Sequence, residues 1–131
     1  MKQKKIHSIT ITGMLLISTV LTLTIIVQAA AEPRTVSGYI YVDDVKTQPE
    51  KLVLTFPGQN LQGTLYSDGF YIIDFSEENG ETGFFYITLS SGTWMAMENI
   101  TIQAGVYSYN IDLHVNTSQP PVDTNNCPEI D

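Results

Sequence analysis

The sequence predicts an all-β fold, a seven-stranded antiparallel β-sandwich preceded by an N-terminal signal or anchor helix. From Arg34 to Val115, short apolar runs alternate with turn residues about every ten positions, and no stretch has a helical period. The pair Asp68–Gly69 lies between aromatic and β-branched residues, which is typical of a tight hairpin because Asp and Gly tolerate positive φ. Two antiparallel sheets can each bury one apolar face against the other, so the pattern favours a sandwich over an open sheet.

The first 31 residues have the properties of an export signal. Three lysines among the first five residues precede an uncharged, largely apolar stretch from Ile6 to Val27. Small residues at Ala29 and Ala31 suit signal peptidase, so residues 1–31 are predicted to be a signal peptide cleaved after Ala31. The apolar stretch is also long enough to cross a bilayer, and an uncleaved membrane anchor is the alternative. In both cases we expect a protein that is secreted or held at the extracellular face of the membrane.

The predicted strands follow one another in residues 34–115, and each places an apolar set on one face. In chain order these sets are Val36, Gly38, Ile40 and Val42; Leu52, Leu54 and Phe56; Leu61, Gly63 and Leu65; Tyr71, Ile73 and Phe75; Phe85, Ile87 and Leu89; Trp94, Ala96, Ile100 and Ile102; and Tyr107, Tyr109, Ile111, Leu113 and Val115. Turn residues and a polar loop from Glu77 to Gly83 separate them. These sets are the predicted core of a single sandwich domain.

Residues 116–131 are rich in Asn, Thr, Ser and Pro and offer little to a core, so they are predicted to be a disordered tail or linker. The single cysteine, Cys127, lies in this segment and has no intramolecular partner. The sandwich is therefore expected to depend on packing rather than on disulfides.

The charge of the chain restricts its partners. Without residues 1–31 it has three basic and 14 acidic side chains, a net charge of −11. Such a surface repels phosphate backbones and anionic lipid headgroups. We therefore expect no nucleic-acid binding, and membrane contact only through residues 1–31 if they are retained. The expected partners are other surface proteins or glycans.

Three stretches resemble a known family. They are the start of the first strand at Val36–Ile40, the apolar strand Leu52–Phe56, and the Asp-Gly-aromatic turn in Thr64–Tyr71. Together they resemble the carboxypeptidase regulatory-like domains, relatives of the transthyretin-like and collagen-adhesin B-type sandwiches. The resemblance covers most of Thr35–Val115. It implies a seven-stranded sandwich used as a non-catalytic spacer, stalk or adhesion module, and it carries no catalytic residues.

Catalysis has little support in the sequence. His114 alternates with apolar residues and is predicted to share a solvated outer face with Asn110 and Asp112. No serine lies in a nucleophile-elbow pattern, and one histidine with one tail cysteine does not make a dyad. The chain is therefore predicted not to be an enzyme.

An intramolecular isopeptide bond, as some collagen-adhesin relatives form, would use Lys51 and Asn110. The alternation that buries Tyr109 and Ile111 turns Asn110 outward, where an amine is not desolvated enough to become nucleophilic. The sequence therefore does not favour this bond.

Calcium is the one cofactor that the sequence suggests, since hard oxygen ligands in loops suit it. The candidate ligands are Asp43, Asp44, Asp68, Glu77, Glu78 and Glu81. No loop has the alternating ligand spacing of an EF-hand, so solvated loop charge is the favoured interpretation, and no cofactor is predicted.

Two kinds of surface site remain. Asn99 and Asn116 lie in Asn-x-Ser/Thr sequons and are predicted glycosylation sites in an exported chain. The second is an aromatic face that alternates away from the core and would stack on sugars or receive a partner, unless its rings simply brace the sheet. Its members are Tyr39, Tyr41, Phe84 and Tyr86. The sequence thus predicts a non-catalytic extracellular structural or adhesive module, with a carbohydrate-binding module as the alternative.

Overall fold

The computed structural model describes residues 32–123. The predicted signal or anchor helix and residues 124–131 lie outside this range. No helix that is long and apolar enough to span a membrane occurs in the described residues. They form an all-β domain of two sheets, as predicted.

Ten strands make up the domain. In chain order they are β1 (Arg34–Val42), β2 (Val45–Lys46), β3 (Lys51–Phe56), β4 (Gln59–Gln62), β5 (Thr64–Leu65), β6 (Phe70–Phe75), β7 (Thr82–Leu89), β8 (Gly92–Thr101), β9 (Ser108–Asn110) and β10 (Leu113–Val115). Sheet I has the order β10-β1-β6-β5, and β2 and β9 also pair with β1. Sheet II has the order β4-β3-β7-β8. Antiparallel pairing predominates, and β9 and β10 differ because they run parallel to β1.

The predicted count of seven strands is not confirmed, because two predicted strands are divided and a short one is added. The third predicted strand breaks at Gly63 into β4 of sheet II and β5 of sheet I. A Cβ at Gly63 would lie 3.0 Å from Leu52 and 3.2 Å from Ile73, so the crossing between the sheets needs a residue without a side chain. The last predicted strand divides at Ile111 into β9 and β10.

The added strand, β2, forms a hairpin with β1. Val42 pairs with Val45, and the two residues between them, Asp43 and Asp44, have φ values of 50° and 67°. Two successive left-handed residues are the requirement of a type I′ hairpin, which Asp tolerates better than most residues.

The core lies between the sheets and consists mostly of the predicted apolar sets. Its buried members are Val36, Ile40, Leu52, Leu54, Phe56, Tyr71, Ile73, Phe75, Phe85, Ile87, Trp94, Ala96, Ile100, Ile102, Leu113 and Val115. Other predicted members are partly buried against this core, namely Val42, Leu61, Leu65, Leu89, Tyr109 and Ile111. Tyr107 differs from all of these because it is 49% exposed. It precedes β9, beside a turn in which the Val106 N–H donates to the Gln103 carbonyl, so strand alternation does not extend to it.

A bulge in β8 changes the direction of its edge. Phe84 pairs with Asn99 and Tyr86 pairs with Met95, so three residues of β8, centred on Met97, stand opposite Phe85 alone. Extra residues on one strand bend it and redirect their side chains. As a result, Glu98 of sheet II reaches across to β10 of sheet I.

The described part of the predicted tail, residues 116–123, contacts the domain. Asp43 accepts hydrogen bonds from the Thr117 N–H and hydroxyl, at 2.9 and 2.5 Å. The Trp94 indole donates to the Gln119 carbonyl at 2.9 Å, and the Val122 N–H donates to the Thr93 carbonyl at 2.8 Å.

Candidate functional site

The outer face of sheet I carries an aromatic cluster of Tyr39, Tyr66 and Phe70. The Tyr39 and Phe70 rings meet edge to face with centroids 5.4 Å apart, and Phe70 and Tyr66 are 5.8 Å apart. Tyr39 and Phe70 are cross-strand partners of β1 and β6, which explains their contact. The ammonium of Lys46 lies 3.9 Å from the centre of the Tyr39 ring, and Tyr66 remains 48% exposed.

Tyr41 lies two residues further along the same face and stacks on His114. The two ring centroids are 5.1 Å apart and the planes are within 8° of parallel. Glu98 makes two contacts with His114. The Glu98 Oε1 accepts the His114 main-chain N–H at 2.7 Å, and the Glu98 Oε2 lies 2.6 Å from the His114 Nδ1. His114 therefore joins the two sheets, a contact that the sequence did not predict, while its side chain remains 42% exposed on the outer face, as predicted.

A cleft of about 590 Å³ adjoins this histidine. It is lined by Asp43, Asp44, Met97, Glu98, His114, Val115 and Asn116. The carboxylate of Asp43 is hydrogen-bonded to Thr117, and that of Glu98 is hydrogen-bonded to His114. No three His, Cys, Asp or Glu side chains converge as metal ligands anywhere in residues 32–123.

The four aromatic residues of the predicted ligand face do not form one surface. Tyr39 and Tyr41 lie on β1 of sheet I, and Phe84 and Tyr86 lie on β7 of sheet II. The outward-facing residues of two packed sheets lie on opposite sides of the sandwich. Sequence alternation could assign each residue to the outside but could not assign it to a sheet.

Phe84 belongs instead to an apolar stripe on the outer face of sheet II. The stripe continues on the edge strand β8 with Met95 and Met97, whereas the direct cross-strand partner of Phe84 is Asn99. The exposed fractions of Phe84, Met95 and Met97 are 40%, 50% and 76%. Tyr86 pairs with Met95 across the strands and is partly buried. This stripe was missed by the sequence analysis, although the alternation of Met95 and Met97 with buried Trp94 and Ala96 contained the signal.

The candidate calcium ligands are dispersed over several loops. Asp68 accepts the Phe70 N–H at 3.1 Å, as is common in turns. Asp43 accepts hydrogen bonds from Thr117. Glu77 and Glu81 do come close enough to interact electrostatically, and within the described residues Glu77 Oε1 and Glu81 Oε2 are both buried without a hydrogen-bond partner. Burial, and then the adjoining Glu81, raise the pKa of Glu77 to about 7.

A buried arginine lies beside this acidic loop. Arg34 is 5% exposed and donates to the carbonyls of Glu32, Glu77 and Val106 and to the Asn79 side chain, at 2.7–3.1 Å. Its guanidinium also lies 5.5 Å from the centre of the Tyr107 ring. Apart from the basic residue itself, this cluster could not be predicted from sequence, because its acceptors are mostly main-chain atoms of distant loops.

Both predicted glycosylation sites lie on the surface. Asn99 is exposed on β8 and Asn116 is exposed just after β10. The Asn116 Oδ1 accepts hydrogen bonds from the Ser118 N–H and hydroxyl, at 3.0 and 2.6 Å. The isopeptide candidates do not meet, because Lys51 is on β3 of sheet II and Asn110 is exposed on β9 of sheet I.

Comparison of the chain with protein-family models, with curated proteins and with solved structures gives no match. The resemblance to carboxypeptidase regulatory-like domains therefore rests on the sequence pattern alone.

Proposed function

We propose that this chain is a non-catalytic β-sandwich module with a structural or adhesive role on a secreted or cell-surface protein. The observation that supports it best is that polar groups capable of chemistry hold the fold together while apolar side chains face outward. Arg34 and His114 are engaged with neighbouring groups, whereas Tyr66, Met95 and Met97 are each about half exposed or more. Exposed apolar patches on a filled sandwich are typical of contact surfaces between proteins.

Export is the part of this proposal that can be tested first. Intact mass and N-terminal sequencing of the native protein, taken separately from membrane and medium, distinguish the alternatives. An N-terminus at Glu32 in the medium is expected for a released module, and added mass on Asn99 or Asn116 would identify a glycoprotein. Full-length protein in the membrane fraction would identify an anchored module. Full-length protein in the cytosol would contradict the proposal.

A carbohydrate-binding module is the second candidate, and the aromatic cluster favours it. Sugar rings stack on exposed aromatic faces, and Tyr66 offers such a face beside Phe70, Tyr39 and the donor Lys46. Glycan-array binding that is lost in Tyr66→Ala and in Tyr39→Ala, but kept in Phe84→Ala on the opposite sheet, would support it. Absence of binding across the array would leave the structural or adhesive role.

A further inference from the structure

The first strand of the domain lies at the centre of sheet I. Strand β1 pairs with antiparallel β6 on one side and with parallel β9 and β10 on the other. The parallel register runs from Thr35 opposite Ser108 to Val42 opposite Val115. The chain therefore enters this ladder at one end and leaves it at the other.

This arrangement decides how the domain responds to tension. A pull on the chain before Arg34 and after Val115 would slide β1 along β9 and β10, so that their hydrogen bonds are strained together. A pull on two neighbouring strand ends would instead open the ladder one bond at a time. Because each hydrogen bond is weak by itself, breaking several together requires much more force than breaking them in succession.

We propose that sheet I is a mechanical clamp through which this domain transmits tension between the chain before Arg34 and the chain after Val115. The inference deepens the structural role proposed above and rests on it. Tension along β1 also acts on its antiparallel ladder with β6, where six residue pairs from Arg34–Phe75 to Tyr39–Phe70 resist the same sliding. The strand is thus held along both sides.

Arg34 holds the entry end of the clamp, which is the N-terminal end of β1. Its guanidinium connects the first residue of β1 to the chain at Glu32, to the loop at Glu77 and Asn79, and to Val106 just before β9. In addition, the Thr35 N–H donates to the Tyr107 carbonyl at 3.0 Å. A pull at Glu32 is therefore distributed over two loops before it reaches the ladder.

The exit end is fastened by Asp43, the residue after β1. Its N–H donates to the Val115 carbonyl at 2.9 Å, and its carboxylate accepts two hydrogen bonds from Thr117. The tail then contacts β8 in reverse order, with Gln119 at Trp94 and Val122 at Thr93. After a turn in which the Gln119 N–H donates to the Asn116 carbonyl, the tail thus adds a second contact, with β8 of sheet II.

The break between β9 and β10 is closed by side chains. The Asp112 Oδ1 accepts the Tyr39 N–H at 2.9 Å, where a main-chain partner is lacking, and the Tyr71 hydroxyl donates to the Ile111 carbonyl at 2.5 Å. A Cβ at Gly38 would overlap that Ile111 carbonyl oxygen, so glycine is required for this close approach. The ladder therefore holds β1 along almost its whole length despite the break.

Single-molecule force measurements on the full chain test the clamp. One form is attached through Glu32→Cys and the native Cys127, and the other through Val45→Cys and Cys127. The two forms share the C-terminal attachment, so detachment of residues 116–123 contributes to both. We expect a mean unfolding force about threefold higher for the Glu32 form, because several bonds break together in it. Equal forces in the two forms would overturn the proposal.

Two substitutions separate the clamp from general stability. Asp112→Ala removes the acceptor of the Tyr39 N–H in sheet I, and its matched control, Thr101→Val, removes a side-chain hydrogen bond to Thr82 in sheet II, outside the clamp. In the Glu32 form, Asp112→Ala is expected to lower the unfolding force clearly more than Thr101→Val does. An equal decrease in the two variants would contradict the location of the clamp in sheet I.

The two proposals can fail separately. A high unfolding force in a chain that is found in the cytosol would keep the clamp and remove its proposed surface role. Export of a chain with equal forces in both attachment forms would keep the surface module and remove the clamp.

Discussion

The two ends of β1 are held in place by charged side chains of opposite sign. At its start, a buried cation, Arg34, donates to four uncharged acceptors, three carbonyls and the Asn79 amide oxygen. At its end, an exposed carboxylate, that of Asp43, accepts two hydrogen bonds from Thr117. We expect burial, more than the number of hydrogen bonds, to decide how much each of these contacts contributes to the free energy of unfolding.

The reason lies in the cost of leaving groups unpaired. If Arg34 is removed, the partly buried carbonyls around its side chain lose a charged donor, and water replaces it poorly. If Asp43 is removed, water reaches Thr117 at once, because the site is exposed. Substitutions at the two ends of β1 test this difference.

Arg34→Ala should destabilise the domain by about 3 kcal/mol, because buried hydrogen bonds from a charged donor are lost together. Arg34→Lys keeps the charge but lacks the planar fork, so we expect it to recover only part of this loss. Equilibrium unfolding in urea measures both variants. A loss below about 1 kcal/mol in Arg34→Ala would show that the entry end is no stronger than an exposed contact.

The same contrast explains what the sequence could predict. Alternation along Val36–Val42 or Phe85–Leu89 identifies buried positions, because apolar burial follows the period of the strand. The cluster around Arg34 could not be predicted in this way, since it depends on carbonyls of loops more than 40 residues away. Its single visible sign was a basic residue at the start of a strand in an acidic chain.

The order and direction of the strands in each sheet could also not be predicted from the local sequence pattern. Nothing in Tyr109 or Leu113 indicates that their strands run parallel to β1, because alternation is the same for both directions. Alternation likewise does not indicate that β1 and β7 belong to different sheets, which places Tyr39 and Phe84 on opposite outer faces. The all-β sandwich was therefore predictable, whereas the surfaces that it presents were not.

Glu98→Ala tests a partly exposed contact near the C-terminal end of β1. The carboxylate accepts the His114 N–H and contacts its ring, and its side chain is 29% exposed. We expect a loss of about 1 kcal/mol, between those of the buried and the exposed sites. Glu98→Gln keeps an acceptor and should lose less, as measured by thermal unfolding. Equal losses in the two variants would show that the hydrogen bond to the His114 N–H contributes little.

Glu77→Gln should alter the pH dependence at the entry end. The pKa of Glu77 is raised from 4.5 to about 7, chiefly by burial and then by Glu81. The native state therefore binds more protons than the unfolded chain between these values, and stability decreases as pH rises through this window. Urea unfolding at about pH 5 and about pH 8 should show a smaller decrease in Glu77→Gln than in the parent. The control Glu50→Gln changes an exposed carboxylate on another loop that does not act on Glu77, and it should keep the parent slope. An unchanged slope in Glu77→Gln would contradict the assignment.

Asp43→Asn should have the smallest effect, and its pH dependence should have the opposite sign. The hydrogen bonds from Thr117 lower the pKa of Asp43 below 3.8, so its contribution to stability is present above that pH and is lost as pH falls through the lowered value. We expect Asp43→Asn to match the parent in strong acid and to be slightly less stable at neutral pH, by equilibrium unfolding. Thr117→Val removes the hydroxyl donor and should remove part of the same acid dependence. If Asp43→Asn were as damaging as Arg34→Ala, burial would not be the property that distinguishes the two ends of β1.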